Sequence, residues 1–369
     1  MRIAVVIKRF VSTGGAEKYA VEVTRRLLEK GYDIELITRE ADAECASGLT
    51  VHRVPDRLGF SSAVHLYAFA RDARTVLEKH HYDIIHSHDR TFCQDVATIH
   101  TFPYRKGLDR YKGWRKIDQL YLSPRNALHL YLEKRQMASP YLVPVSHIIR
   151  NDIDRYHGRQ EKVKVIEPGV DTDFFHPHAE PGKRQEIRGA EGLNRDDMVI
   201  LFVGSEFRRK GLDYLLPAIS GHMKLVVVGR GEHIDQYRRQ IDELGIGNRV
   251  IFKGLVEDVR NYYAMADILV LPSVLEAFGM TVLEGMAAGI PVVASSTTGV
   301  AGLLRNNENG MVFDRYEELP GLLQKLAGDN GLRRRLGENG RSTAQDRRWQ
   351  RVTQQYEELF MEILDKKTG

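Results

Sequence analysis

Cysteine is nearly absent from this chain: Cys45 and Cys93 are the two among 369 residues, and no Cys-x-x-Cys pair occurs. A disulfide scaffold and a cysteine zinc site are thereby disfavoured, and a reducing compartment suits the sequence. No apolar run is long enough to span a bilayer, and the run Ile3-Ala4-Val5-Val6-Ile7 is too short for a signal peptide. The expected location is the cytoplasm, with contact at a membrane surface left open. No spacing of His, Asp and Glu reads as a metal site, so no metal is expected. A dinucleotide fingerprint is also missing. Gly229-Arg230-Gly231 has Ile234 where the third glycine of GxGxxG belongs, which disfavours a nicotinamide or flavin enzyme. The net charge of +4 is mild and argues against a dedicated nucleic-acid binder.

What is present is an alternation of short apolar runs and amphipathic stretches. Hydrophobic residues make up 42% and charged residues 28%, the balance of a soluble globular protein, and the length suggests two domains. Residues 3–7, 34–38, 83–86, 97–100 and 142–146 read as strands, with helices at 16–30 and 61–80. A second run of strands follows at 199–203, 224–228, 250–253, 268–271 and 291–294. Such alternation implies parallel sheets with helices on both faces. The expected class is α/β, two Rossmann-like domains facing across a cleft, with residues 162–171 as the link. The expected division is 1–168, 169–345 and a final helical stretch, 346–369.

One segment concentrates the chemistry. After the strand ending at Leu271 come Pro272, Ser273, Val274, Leu275, Glu276 and Ala277, then residues 278–288 read as a short helix that carries Glu284 and is ended by Gly289 and Pro291. The turn lies at the carboxyl end of a parallel strand, where such folds bind ligands. Free amides around Ala277, Phe278, Gly279 and Met280 suit an anion such as diphosphate. Glu276 stays in the loop and Glu284 lies deeper, so an extended ligand meets a carboxylate at each end. The plain alternative is a solvated helix with surface glutamates. A second cluster, Gly204-Ser205-Glu206-Phe207-Arg208-Arg209-Lys210-Gly211, also follows a strand. Its cations suit a departing diphosphate, whose developing charge Arg and Lys can stabilise without a metal. Gly14-Gly15 between the first strand and first helix permits close backbone approach to a ligand, or is a plain tight turn.

The two glutamates and their surroundings resemble the Glu-x7-Glu signature of retaining GT-B glycosyltransferases of the family-4 type. Pro-Ser before, Phe-Gly inside and Gly-Ile-Pro-Val-Val-Ala after fit the same pattern. The resemblance implies that Glu284 accepts the ribose hydroxyls of a nucleotide-sugar and that Glu276 contacts the donor sugar. It implies diphosphate or sugar contacts from the amides of Phe278 and Gly279, leaving-group roles for Arg209 and Lys210, and a nucleobase contact from the backbone near Val256. It places Gly14 and Gly15 beside the donor phosphate and the acceptor, and His100 against the donor sugar. His86 and His88 shape the same region or merely pack there.

Residues 102–135 interleave Phe102, Tyr104, Tyr111, Trp114, Tyr121 and Tyr131 with nine cations, Lys112, Arg115 and Lys116 among them. Such a segment suits an anionic membrane surface, a phosphorylated glycan, or a solvated helix pair. The chain is similar to the glucosyltransferases that extend the lipopolysaccharide inner core, which carry a basic-aromatic segment here. One departure stands out: Thr297-Thr298-Gly299-Val300-Ala301 lacks the glutamate of the family's Gly-Gly-x-x-Glu, which puts sugar specificity and the local loop shape in doubt.

The expected function is therefore retaining, metal-independent transfer of a hexose from a nucleoside-diphosphate sugar, UDP-glucose first, to a glycan or glycolipid, lipopolysaccharide core among them. The donor is a substrate, and no cofactor is expected. The rivals are a GT-B nucleotide-sugar epimerase and a non-catalytic subunit that binds a sugar nucleotide or a membrane.

Overall fold

The computed structural model describes residues 1–56, 61–113, 123–177 and 182–368. The chain divides into two compact units, residues 1–168 with 349–369, and residues 169–348.

In the first unit the order is β1 (Arg2–Val6), β2 (Arg9–Phe10), α1 (Gly15–Glu29), β3 (Asp33–Thr38), β4 (Glu40–Ala41), β5 (Thr50–Arg53), α2 (Ser62–Leu77), β6 (Ile84–Ser87), β7 (Val96–Ile99), α3 (Tyr104–Gly107), α4 (Pro124–Met137), β8 (Tyr141–Pro144) and α5 (His147–His157). The second unit holds α6 (Lys183–Ala190), β9 (Met198–Val203), α7 (Leu212–Leu215), β10 (Met223–Val228), α8 (Ile234–Glu243), β11 (Val250–Gly254), α9 (Arg260–Met265), β12 (Ile268–Leu271), α10 (Met280–Ala287), β13 (Val292–Ser295), β14 (Met311–Phe313), α11 (Leu319–Gly328) and α12 (Asn330–Gln345). The last helix, α13 (Trp349–Thr368), belongs to the first unit.

Each unit is built on a six-stranded parallel sheet, ordered β5-β3-β1-β6-β7-β8 in the first and β11-β10-β9-β12-β13-β14 in the second. The expected α/β architecture of paired Rossmann-like sheets is present. Sheets covered on both faces favour unbroken apolar strands, and Ile3 through Val6 and Val199 through Phe202 are fully buried. Each such branched side chain contributes about 1.5–3 kcal/mol. Two edge strands escaped the sequence reading. Thr50–Arg53 is half exposed and Met311–Phe313 is three residues long, so neither shows a clear apolar run. The charged stretch that ends the chain holds three helices, α11, α12 and α13. Asp329 breaks it first by capping α12, its carboxylate accepting from the Leu332 amide at 2.8 Å.

A carboxylate ties together strands β5, β3 and β1 of the first sheet. Glu35 of β3 accepts from Arg2 Nε of β1 at 3.0 Å, pairs with His52 Nε2 of β5 at 2.7 Å and accepts from Tyr82 Oη at 2.7 Å. Burial works to raise its pKa, but the bonds from Arg2, Tyr82 and His52 outweigh burial and pull it down to about 2. A depressed carboxylate pKa stabilises the fold above the unfolded value of about 4.3, and this contribution is lost as pH falls toward 2. Denaturant titrations should show the wild type losing stability across that window. Glu35→Gln should be less stable at pH 7 by about 1–3 kcal/mol and flatter with pH. Parallel curves for the two proteins would remove Glu35 from this role.

Candidate active site

The carboxyl edge of the second sheet is drawn together by glycines. Gly204 follows β9 with φ +149°, and its amide donates to Val228 O at 2.8 Å. A Cβ there would strike the aliphatic chain of Lys210, which lies across the gap. Gly211 has φ +80°, and a Cβ there would run into the carbonyl of Pro272. The loops after β9 and β12 therefore touch backbone to backbone, with the Val274 amide donating to Arg209 O at 2.9 Å.

This approach puts two cations on one carboxylate oxygen. Arg209 Nη1 and Lys210 Nζ each donate to Glu276 Oε2 at 3.0 Å, and Arg209 Nη1 also reaches Leu275 O at 3.0 Å. The remaining face of Arg209 donates to Glu206 Oε2 at 2.7 Å. Arg208 is exposed. Burial pushes the Glu276 pKa up, but Lys210 and Arg209 outweigh it and hold the carboxyl below its usual range. The group is an anion at neutral pH. A cavity of about 910 Å3 opens beside it, lined in part by Glu206, Arg208, Arg209, Val274 and Leu275.

The Glu276 loop is fixed from its other side by the segment that lacks the family's glutamate. The amides of Gly299 and Val300 donate to the carbonyls of Glu276 and Phe278 at 3.0 and 2.7 Å. Thr297 Oγ1 and Ser295 Oγ both donate to Ser273 O at 2.6 Å. The sequence singled out this segment for its missing glutamate, not for the hydroxyls of Thr297 and Ser295.

Helix α10 starts at Met280, two residues later than the expected start at Phe278. Gly279 is the reason. Its φ of +107° is left-handed, so it caps the helix and cannot lie inside it. Among the described residues, none of the amides from Ala277 to Thr281 donates to a backbone carbonyl. These are the unfilled donors of a helix start. Phe278 is buried, while Ala277 and Met280 are half exposed. Glu284 lies inward on α10 and accepts from Tyr263 Oη at 2.7 Å. Burial, then Glu284, drives the Tyr263 phenol well above its usual pKa, so it remains a donor. Val256 is half buried in the loop after β11, beyond Gly254, whose carbonyl accepts from the Gly229 amide at 2.8 Å.

In the first unit, Gly14 (φ +97°) caps α1 and Gly15 is its first residue, with open space where a Cβ would sit. One turn on, the Tyr19 ring meets the His100 ring edge-on at 5.1 Å. His100 follows β7 and is partly exposed; His86 and His88 are buried. His86 Nε2 bonds Thr98 Oγ1 at 2.8 Å, Thr98 bonds Tyr356 Oη at 2.7 Å, and Tyr19 Oη bonds both Tyr356 Oη at 3.0 Å and Ile166 O at 3.1 Å. His88 Nδ1 and His100 Nε2 are 2.9 Å apart. Burial lowers the pKa of His86 and of His100 to about 3, and carries His88 well below its usual value. All three are neutral at pH 7. Tyr19, Thr98 and Tyr356 escaped the sequence reading, because isolated hydroxyls far apart in the chain form no motif.

The basic-aromatic segment is anchored at its start. Buried Glu133 of α4 accepts from the Tyr104 amide, from Arg90 Nη2 at 3.3 Å, and pairs with His157 Nε2 at 3.0 Å. Lys106 sits over the Phe102 ring at 4.3 Å and binds Asp152 at 2.6 Å, a partner outside the segment. Phe92 joins exposed Tyr67 of α2 and exposed Tyr131 of α4, at 5.9 and 6.3 Å between rings. Residues 114–122, including Trp114, Arg115, Lys116 and Tyr121, lie outside the described residues. Among those described, no helix is long and apolar enough to cross a membrane.

Two Rossmann-like units, each with its candidate residues on the carboxyl edge of a parallel sheet, define the GT-B class of glycosyltransferase. Sequence comparison agrees. Residues 183–343 match the family Glycosyl transferases group 1, and residues 13–174 match Glycosyltransferase Family 4. The chain is a glycosyltransferase of this group 1 and family 4 type. It is 28% identical to a D-inositol 3-phosphate glycosyltransferase of Acidothermus cellulolyticus, over 88% of this chain and 80% of that one. Its fold is that of WaaG, a glycosyltransferase involved in lipopolysaccharide biosynthesis (TM-score 0.84, 21% identity, covering 97% and 99% of the two chains). It is also that of Anabaena HepE, solved in complex with UDP-glucose (TM-score 0.78, 19% identity, 98% and 100%).

Gly211→Ala should force the loops after β9 and β12 apart. We expect a loss of about 1–3 kcal/mol in thermal or denaturant unfolding, together with loss of ligand binding at the Glu276 cluster. Gly15→Ala meets no neighbour and should change stability by less than about 0.5 kcal/mol. Equal stability of both variants would show that the contact at Pro272 does not govern the loop.

Proposed function

We propose that this glycosyltransferase moves a hexose, with retention and without a metal, from a nucleoside-diphosphate sugar to a glycan or glycolipid acceptor. UDP-glucose is the first donor to test, and the lipopolysaccharide core the first acceptor. The observation that carries this reading is the convergence of Arg209 and Lys210 on Glu276, beside the unfilled amides of 277–281. A diphosphate accepts hydrogen bonds from those amides and lies against the two cations. Glu276, kept charged by them, accepts from hydroxyls of the sugar. Glu284, steadied by Tyr263, accepts from the ribose hydroxyls, and the backbone near Val256 meets the base. Gly14 and Gly15 let the backbone approach the donor phosphate and the acceptor, and His100 contacts the sugar.

In the reaction the acceptor oxygen bonds to the anomeric carbon on the face that the diphosphate leaves. The bond from that carbon to the phosphate oxygen breaks, and the acceptor proton passes to the departing phosphate. Charge grows on the leaving oxygen, and Arg209 and Lys210 are placed to stabilise it.

A calorimetric panel of UDP, GDP, ADP and their sugar conjugates tests the site. One nucleotide class should bind, and Glu284→Ala should weaken it at least tenfold, about 1.4 kcal/mol. Unchanged affinity would remove Glu284 from the ribose role. Lys210→Ala should lower kcat by about 100- to 1,000-fold, the usual cost of losing a charge-stabilising group. An unaltered rate would count against its leaving-group role.

The same reading assigns residues 102–135 to an anionic membrane surface. Tyr67 and Tyr131 are exposed beside Phe92, and Arg125, Lys134 and Arg135 are exposed on α4. Aromatic rings and cations on one surface suit the headgroup layer. Vesicles containing phosphatidylglycerol should retain the protein, and vesicles of phosphatidylcholine alone should not. Replacing Lys112, Arg115 and Lys116 by Ala should weaken retention by about 1 kcal/mol for each charge lost. Equal retention of the triple variant would sink the assignment.

A further inference from the structure

His88 and His100 lie in one hydrogen bond that carries one proton. His88 Nδ1 and His100 Nε2 are 2.9 Å apart, the rings stack within 22° of parallel, and Tyr19 holds His100 edge-on from the side. Both rings are neutral, because burial penalises the imidazolium. A neutral imidazole has one N–H and one bare nitrogen, so the shared bond admits two arrangements.

In one, His100 Nε2–H donates to His88 Nδ1. His88 then carries its proton on Nε2, and that nitrogen is buried with no partner among the described residues. In the other, His88 Nδ1–H donates to His100 Nε2, and the buried His88 Nε2 is a bare lone pair. Orphaned buried N–H groups are rarer in folded proteins than under-satisfied acceptors, and burying an unsatisfied polar group costs about 1–3 kcal/mol. His86 packs against His88 at 4.3 Å between ring centroids, but His86 Nε2 is bonded to Thr98 Oγ1.

We infer that His88 is a positioning residue that locks His100 in the Nδ1–H tautomer, so that the partly exposed His100 offers its ligand a hydrogen-bond donor at Nδ1. A dissolved imidazole side chain favours the proton on Nε2, so the pair reverses the ordinary preference. That the ligand is a donor-sugar hydroxyl rests on the proposed function; the tautomer does not. A hydroxyl oxygen facing Nδ1 accepts from His100, and the same nitrogen has no lone pair with which to take a proton.

The test is long-range 1H–15N correlation on the full-length protein labelled with 15N-histidine at pH 7. The His88 and His100 signals are assigned by their loss in His88→Leu and His100→Gln. The wild type should show a protonated Nδ1 and a bare Nε2 on both rings. His88→Leu should return His100 to the Nε2–H form. His88→Asn, whose amide can donate from nearly the same place, should keep the Nδ1–H form. Transfer assays should then show kcat about tenfold lower in His88→Leu with the donor KM little changed, and His88→Asn restoring most of it, as expected for one hydrogen bond of about 1.4 kcal/mol. A protonated Nε2 on wild-type His100, or an unchanged His100 pattern in His88→Leu, overturns the inference. So does a His100 that changes tautomer with no change in kcat. The spectra decide the tautomer even if nucleotide-sugars fail to bind, so failure of the broader reading is told apart from failure of this one.

Discussion

A carboxylate taken out of water costs several kcal/mol unless partners replace the lost hydration. Glu276 meets that condition with two cations on a single oxygen, and much of the second unit's carboxyl edge follows from it. Arg209 and Lys210 are adjacent in sequence, so both reach Glu276 only if the loop after β9 lies directly on the loop after β12. Gly211 allows that by bringing its backbone against the Pro272 carbonyl, and Gly204 allows it by letting Lys210 cross. Segment 295–300 presses from the opposite side through backbone and hydroxyl bonds. Without the glycines the cations would stay in solvent, and Glu276 would be protonated or pulled outward.

The first unit solves the opposite problem. Around His86, His88 and His100 its polar groups at the carboxyl edge are buried without charge. His86, Thr98, Tyr356, Tyr19 and the Ile166 carbonyl form one chain of hydrogen bonds that needs no ion. Tyr356 comes from α13, near the end of the sequence, so the last helix helps satisfy polar atoms between β6 and β7.

Much of this was legible in the sequence, for a physical reason in each case. Short apolar runs announced most of the strands, and the two glutamates spaced across a strand-loop-helix turn singled out the candidate site. Arg209 and Lys210 stood out because adjacent cations closed by Gly211 are unusual after a buried strand. What stayed hidden depends on contacts between distant residues. Tyr263 beside Glu284, Tyr356 beside Thr98 and Thr297 beside Ser273 have no local signature. Edge strands β5 and β14 were hidden because they are short and owe their conformation to a neighbour. Helix α10 was placed two residues early because apolar Phe278 looks helical, and only the left-handed backbone of Gly279 says otherwise.

The missing glutamate of segment 297–301 can be weighed on the same terms. What this segment does for the Glu276 loop is done by the amides of Gly299 and Val300, and by Thr297 Oγ1 acting on Ser273. Two of these three donors are backbone groups that any side chains would leave in place. Val300 is fully buried beneath the loop, and Thr298 turns its hydroxyl onto Ser295 O at 2.7 Å. The segment therefore holds the loop without a carboxylate. The absence of the glutamate leaves in place the two cations on Glu276 and the helix start at Met280.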